Sequence, residues 1–275
     1  TGKIASLSSL SPFKLSFLRW SMAFLLLMPF TYKRIIDDID KYKKNFSYIL
    51  ITSVLGVTIF NSFTYLSLQT SMVINSSIMT SITPLLIIFF SWLIFKTPTY
   101  PRQFLGIILS LIGVIFIISK ANFKNLIDLN FTKGDLWMLS AVFSWGLYSV
   151  LLKKIDNTLS QLATLEVMIF FGLIFIFPFY IIETFDNSYF PKDSNEFLMI
   201  SYVAIFASIT SFFAWNKGVS ILGANKASLF LHLIPVFSSI WAIFFLGENF
   251  SFFHLLGTAF IIFGIILSNL NNKSI

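Results

Sequence analysis

The chain has no cysteine, few charged side chains and only two histidines, and each scarcity excludes a class of protein. Without thiols there is no disulfide and no thiolate metal site. Charged residues make up 11% of the chain, whereas soluble domains carry about a quarter. So little charge does not cover the surface of a soluble protein, and lipid is the expected solvent.

Motifs of common enzymes are also missing. The sequence has no His-Glu-x-x-His pair and no glycine-rich phosphate loop, and His232 and His254 are far apart in a chain without other histidines. We therefore predict no catalytic function, no cofactor and no metal. The net charge of +7 does not indicate nucleic acid, because the Lys and Arg residues lie in short connections between apolar runs. The expected partners are the lipid bilayer and a small-molecule substrate, and a homodimer is left open.

Apolar runs of nearly bilayer length dominate the sequence. A transmembrane helix needs about 20 residues. Nine runs qualify as spans, at residues 13–30, 46–67, 71–95, 102–119, 134–152, 159–183, 197–219, 226–246 and 252–270. The connections between them are too short for a soluble domain. The sequence therefore predicts an all-α integral membrane protein.

The chain repeats itself when it is shifted by 151 positions, a period obtained by subtracting 84 from 235. The shift aligns three backbone-special residues of each half: Pro84 with Pro235, Gly106 with Gly257, and Gly113 with Gly264. We predict two repeats of one helical unit, at residues 1–120 and 133–271.

The repeat also predicts how the halves are oriented. Span 134–152 opens the second half, and its counterpart would precede residue 1, so we expect ten spans in the parent protein and five in each half. An odd number of spans makes the second half cross the membrane upside down. Inverted repeats of this kind are typical of secondary transporters, which bind substrate near the midplane between the repeats.

Most positive charges in the connections lie on one predicted side of the membrane. They are Lys33, Arg34, Lys41, Lys43, Lys44, Lys96, Arg102, Lys153, Lys154, Lys217, Lys226 and Lys273. Positively charged connections face the cytoplasm. With ten spans, both termini of the full-length protein are expected there as well.

The chain resembles the drug/metabolite transporter superfamily, specifically its EamA-type permeases with two five-helix repeats. The first half carries this resemblance in Arg19, Trp20, Ala23, Tyr65, Leu68, Thr70, Pro84, Gly106 and Gly113. The second half carries it in Trp145, Gly146, Gly223, Ala224, Ala227, Pro235, Leu246, Gly247, Glu248, Gly257 and Gly264. The first half departs from the pattern at residues 95–97, where Phe-Lys-Thr replaces a Leu-Gly-Glu-like sequence. The resemblance implies a bacterial or archaeal inner-membrane permease, often an exporter of amino acids or related metabolites.

Two polar stripes are candidate cavity linings. Ser228, His232 and Pro235 recur on one face of their span, and Ser77, Ser81 and Pro84 are their counterparts in the first half. The two prolines are candidate hinges, since each frees a backbone carbonyl one turn earlier. Alternatively, the serines bond to their own helix and His232 is a neutral residue bonded to a neighbouring helix.

Other candidates are polar or aromatic residues inside spans. Further substrate-binding candidates are Asn61, Tyr65, Asn75, Trp145, Tyr148, Trp215 and Asn216, although Trp and Tyr also anchor spans at the membrane interface. Glu166 is a candidate for ion coupling; alternatively, it lies at the depth of the membrane interface, pairs with a nearby Lys or stays protonated. Arg19 snorkels, pairs structurally or binds substrate.

Together these observations predict a permease that moves small metabolites by alternating access, in the outward direction. An importer or exchanger of the same fold fits the sequence as well. A membrane-embedded scaffold or sensor is the alternative from another class, and it predicts a core filled by side chains.

Overall fold

Helices form nearly all of the secondary structure in the computed structural model, which describes residues 10–122, 124–127, 130–186, 194–247 and 249–269. Nine of the described helices have the length and composition to cross a membrane. They are α1 (Pro12–Asp37), α2 (Phe46–Leu68), α3 (Ile74–Phe95), α4 (Pro101–Ile118), α5 (Lys133–Lys154), α6 (Gln161–Phe185), α7 (Ser194–Leu222), α8 (Ala224–Phe245) and α9 (Phe252–Asn269). No strand occurs in these described ranges. The predicted fold class is confirmed.

The predicted spans match these helices closely, except at the end of the first. Helix α1 continues seven residues beyond the predicted limit of 30, to Asp37 (37 − 30 = 7), and a short helix follows at Ile39–Lys44. The predicted limit was set where the apolar run gives way to charged residues, but Lys, Arg and Asp are compatible with a helix, so α1 continues past it. A second short helix, Lys124–Ile127, lies between α4 and α5.

The repeat of 151 residues is visible in the helix boundaries. Helix α3 breaks before Thr83–Phe95, and α8 breaks before Ile234–Leu246, which is the same segment shifted by 151. Helices α4 and α9 coincide under the same shift. A π-helical stretch occurs in α2 at Ser53–Ile59 and in α7 at Val203–Thr210, again in equivalent positions. The two halves therefore share these helix breaks and π-helical stretches.

The backbone contacts divide the chain into two compact units. The first unit contains Thr1–Leu66 and Leu147–Ile221, and the second contains Ser67–Gly146 and Leu222–Ile275. Each unit takes helices from both predicted repeats. The sequence repeats and the compact units are therefore different divisions of the chain.

The second unit is built on a close crossing of α4 and α9. A Cβ added to Gly106 would clash with the carbonyl of Gly264, and one added to Gly113 would lie 2.5 Å from the carbonyl of Gly257. As the numbers rise along α4 they fall along α9, so the helices are antiparallel. The shift by 151 exchanges these two contacts. A two-fold axis across the helices therefore relates them, which is the inverted arrangement that the repeat predicts.

The first unit packs α1 against α6 through aromatic rings. Phe13 stacks on Phe179 with ring centroids 4.8 Å apart, and Phe24 meets Phe170 at 6.0 Å. These pairs make α1 and α6 antiparallel. Helix α6 also contacts the π-helical part of α2, where the Thr58 hydroxyl donates a hydrogen bond of 3.1 Å to the Gly172 carbonyl.

Candidate functional sites

A buried polar cluster surrounds Arg19 in the first unit. The Arg19 side chain is only 4% exposed. Its Nη1 donates to the Tyr65 hydroxyl at 2.6 Å, and its Nη2 donates to Asn61 Oδ1 at 2.5 Å. The amide nitrogen of Asn61 donates in turn to the Gly56 carbonyl at 2.7 Å. The helices thus bring Asn61 and Tyr65, two predicted binding residues, onto one cation.

The cluster corrects one prediction for Arg19. A snorkelling arginine keeps its head group in water at the membrane surface. The guanidinium instead lies inside the first unit, and its carbon is 4.8 Å from the ring centre of Trp20. Its partners, Asn61 and Tyr65, follow it in sequence by 42 and 46 residues. No pattern within α1 indicates such distant partners.

Three more predicted residues lie in the first unit. Tyr148 is fully buried, and its hydroxyl donates to Asn216 Oδ1 at 2.7 Å. The indole nitrogen of Trp215 donates to the Ser149 hydroxyl at 3.1 Å. The Tyr148 ring lies where a side chain on Gly56 would be, since a Cβ there would be 2.6 Å from the ring. Gly56 is therefore required for this packing, a role that the sequence did not indicate.

His232 is buried in the second unit, with partners on both ring nitrogens. Its Nε2 is 2.9 Å from the carbonyl of Ser81, and its Nδ1 is 2.5 Å from the hydroxyl of Ser110. Because a carbonyl only accepts, Nε2 carries the proton. His232 and Ser81 are also 151 residues apart, so this bond joins equivalent positions of the repeats. The geometry matches the alternative of a histidine bonded to a neighbouring helix.

Two serines of the stripes, Ser81 and Ser228, bond to backbone carbonyls of their own helices. The hydroxyl of Ser81 donates to the Ile78 carbonyl at 2.6 Å, and that of Ser228 donates to the Asn225 carbonyl at 2.9 Å. Ser77 is half-buried. The helices break just before Pro84 and Pro235, as expected of hinges. A role of these serines in a cavity stays a prediction.

Asn75 lies in a network at the beginning of α5. Its amide nitrogen donates to Asp135 Oδ2 at 3.1 Å and to the Asn130 carbonyl at 3.0 Å. Asp135 also accepts from the Ser71 hydroxyl and from the backbone nitrogen of Thr132. This network secures the first turn of α5. The sequence reading missed Asp135, although an acidic residue in the first helical turn is a recognisable capping signal.

Two residues named in the sequence analysis remain. Trp145 is buried in the part of α5 that belongs to the second unit. Glu248, which contributes to the family resemblance, lies outside the described residues.

Glu166 lies on an apolar groove of the first unit. The groove has a volume of about 390 Å³ and is lined mainly by α1, α6 and the short helix Ile39–Lys44. Glu166 is 2% exposed, and neither carboxyl oxygen has a hydrogen-bond partner within the described part of the chain. Tyr42 lines the same groove, and burial raises the pKa of its hydroxyl above the ordinary value. Apart from Lys43, whose ammonium group pairs with Asp40 at 3.3 Å, the groove surrounds this carboxyl group with uncharged side chains.

Glu166 and Arg19 lie at different depths. In the antiparallel α1–α6 pair, the residue numbers of facing rings sum to about 194, as Phe24 and Phe170 do. Glu166 is therefore level with Met28, which also lines the groove. Nine residues separate Met28 from Arg19 (28 − 19 = 9), which is roughly 14 Å along a helix. The two charged residues are separate sites and do not form an ion pair.

Comparison with known proteins gives a consistent family. The model of the EamA-like transporter family matches residues 1–119 and 132–270. An uncharacterized transporter of Archaeoglobus fulgidus is 26% identical over 265 residues, which cover 95% of this chain and 89% of that protein. The uncharacterized transporter YyaM of Bacillus subtilis is 25% identical, over 84% of this chain and 75% of its own. A solved crystal structure superposes with a TM-score of 0.75 at 16% identity, covering 98% of this chain and 91% of the other, which shows a shared fold.

Proposed function

The chain belongs to the EamA-like transporter family, and on that premise we propose that it exports small metabolites, amino acids or related compounds, across the bacterial inner membrane. The observation that carries the proposal is the cluster of Arg19, Asn61 and Tyr65 inside the first unit. Polar and charged groups are costly at membrane depth, and they mark substrate pathways where they occur. A polar metabolite needs such groups along its path.

Alternating access requires parts that move against each other. The two prolines interrupt α3 and α8 at equivalent positions, so each half has a break at which its helix can bend. The bond between His232 and Ser81 ties the two breaks together in this conformation. These features support a transport cycle in which α3 and α8 bend in opposite directions at their breaks.

Glu166 supports coupling to protons. A carboxyl group in apolar surroundings favours its neutral form, and a change of surroundings makes it release the proton. The apolar groove around Glu166 supplies these apolar surroundings, and a transport cycle would supply the change of surroundings. We propose that Glu166 carries a proton in exchange for the metabolite.

The test is efflux from proteoliposomes that contain the purified protein. The vesicles are loaded with a mixture of labelled amino acids, amines, nucleosides and sugars, and the compounds that leave are identified by mass spectrometry. We expect selective loss of amino acids or related compounds, faster with an acidic exterior. Protein-free vesicles are the control.

Other outcomes separate the alternatives. Uptake against the expected direction would identify an importer, and strict one-for-one counterflow would identify an exchanger. Absence of flux for every compound would contradict the proposal and favour a scaffold or sensor.

A further inference from the structure

Arg19 is a buried cation whose described partners are neutral. The guanidinium donates to the phenol oxygen of Tyr65 and the amide oxygen of Asn61, and no carboxylate of the described residues forms an ion pair with it. A buried charge is costly unless an opposite charge compensates it. The repeat counterpart of Arg19 is Phe170, so the second half of the chain does not need such a cation at the equivalent place. The cation is therefore a feature of the first half alone.

Two neighbouring donors lack an acceptor. Neither Nε of Arg19 nor the indole nitrogen of Trp20 has a hydrogen-bond partner in the described ranges, and both atoms are buried. The guanidinium carbon is 4.8 Å from the centre of the Trp20 ring, so the two donors belong to one locality. Unsatisfied buried groups are rare in folded proteins and call for an explanation, such as a ligand. A positive charge with two free donors fits an anion.

A carboxylate is the anion that fits best. Its two oxygens match the geometry of a guanidinium, with which it forms parallel hydrogen bonds. One guanidinium balances a single negative charge, whereas a phosphate group carries about −1.5 to −2 at neutral pH. The ring of Phe212 meets Trp20 edge-on at 5.0 Å, and Tyr148 lies 5.9 Å from Phe212. These rings keep water from the site, which strengthens an ion pair.

We infer that Arg19 anchors the carboxylate of the transported metabolite, with the Trp20 indole as a second donor. Tyr65 and Asn61 hold the guanidinium in place when no substrate is bound, and the carboxylate takes the acceptor position that Nε lacks. The inference rests on the proposed function and makes it more specific. Substrates must carry a carboxylate, and amines or sugars of the same size are rejected.

The test compares each acid with its own amide. Purified protein in detergent is titrated with the standard L-amino acids and with their amides, which keep the side chain and ammonium group but lose the carboxylate charge. Thermal stabilisation gives the affinity. We expect at least one amino acid to bind, and its amide to bind about 30-fold more weakly, since a hydrogen-bonded charge is lost.

Variants locate the effect at Arg19. R19Q should weaken binding of that amino acid by about the same factor and leave the affinity for its amide unchanged. R19K keeps the charge without the fork of donors and should recover part of the affinity. R34Q is the matched control, since Arg34 is an exposed arginine of the same helix, and it should bind like wild type.

Several results would overturn the inference. They are equal binding of acid and amide, unchanged affinity of R19Q for the acid, or no binding by any amino acid. If no amino acid binds, the efflux experiment shows whether the inference alone or the proposed function as well is wrong. If the protein transports amines or sugars, the chain is still a transporter and only the carboxylate anchor is wrong. If nothing is transported, the proposed function is wrong too.

Discussion

His232 bonds to a carbonyl that the break in α3 leaves without its usual donor. The backbone nitrogen of Leu85 donates to Ile82 rather than to Ser81, and the Ser81 carbonyl accepts from His232 instead. The break thus leaves an acceptor in one half, and the other half supplies the donor. Ser81 is the counterpart of His232 in the first half. Its hydroxyl bonds to its own helix, so it does not form the matching bond to the second half.

The first prediction concerns this bond. His232→Leu keeps the volume but leaves the Ser81 carbonyl buried and unpaired, so it should lower the free energy of unfolding by about 1–3 kcal/mol. Unfolding in detergent measures the change. Ser239→Ala on the same helix is the control, since its hydroxyl only bonds to the Pro235 carbonyl of its own helix. Unchanged stability together with lost substrate binding would instead indicate that His232 contacts the substrate.

The second prediction concerns Lys96, which stands where the second half has Gly247. Both residues end a helix with a positive φ, 52° for Lys96 and 70° for Gly247. A side chain makes this conformation about 1–2 kcal/mol less favourable. Lys96→Gly should therefore stabilise the protein by up to about 1 kcal/mol, and Gly247→Lys should destabilise it by a similar amount. Chemical unfolding of both variants checks the signs, and two changes of the same sign would contradict the explanation.

At the scale of elements, the crossing of α4 and α9 depends on four glycines whose backbones touch. Gly106 with Ser110 and Gly264 with Ser268 place small residues on the contacting faces, which lets the two helices approach closely. The antiparallel direction was expected, because the sequence analysis predicts an odd number of spans in each half. The sequence did not show that α4 crosses its own repeat counterpart, because a repeat predicts equivalent helices without saying which of them meet.

The third prediction tests the crossing. A Cβ at Gly264 would lie 2.6 Å from the backbone nitrogen of Ser110, and neither backbone yields easily. Gly264→Ala should therefore lower the free energy of unfolding by about 1–3 kcal/mol, as overpacking does. Gly218→Ala is the matched control, since no atom lies within 4 Å of the added carbon. In the control, helix propensity should raise stability by up to about 1 kcal/mol. Equal effects in both variants would refute the packing argument.

At the scale of the whole molecule, periodicity and composition predicted the spans and the repeat, because both are local properties of the chain. Periodicity and composition did not predict which residues contact each other in the candidate site. Asn61, Tyr65, Tyr148 and Asn216 were chosen as candidate binding residues, a role that stays a prediction. The partner that joins two of them, Arg19, depends on long-range packing. The compact units also mix the two repeats, and this mixing follows from contacts between distant segments.

Arg19 and Glu166 break the symmetry of the repeats. Phe170 is the counterpart of Arg19, and Leu15 is the counterpart of Glu166. The duplicated fold therefore provides a symmetric frame, and single substitutions give each half a different task. An asymmetric metabolite needs such a difference, since a symmetric site does not distinguish its two ends. In the proposed cycle, one half supplies the cation and the other the proton carrier.

The last prediction tests that division at Glu166. If one proton exchanges for one metabolite through this carboxyl group, each imposed pH unit changes the equilibrium accumulation ratio by about tenfold. Glu166→Gln has the same shape and stays neutral at every pH, so its accumulation ratio should no longer depend on the gradient while facilitated flux continues. Glu183→Gln is the control on the same helix, since Glu183 accepts from the backbone nitrogen of Lys14 at 2.9 Å instead of lining the groove. It should keep the wild-type response. The accumulation ratio is measured in proteoliposomes at several imposed pH differences. If the ratio in the Glu166→Gln protein still changes with the pH difference, another group couples transport to protons.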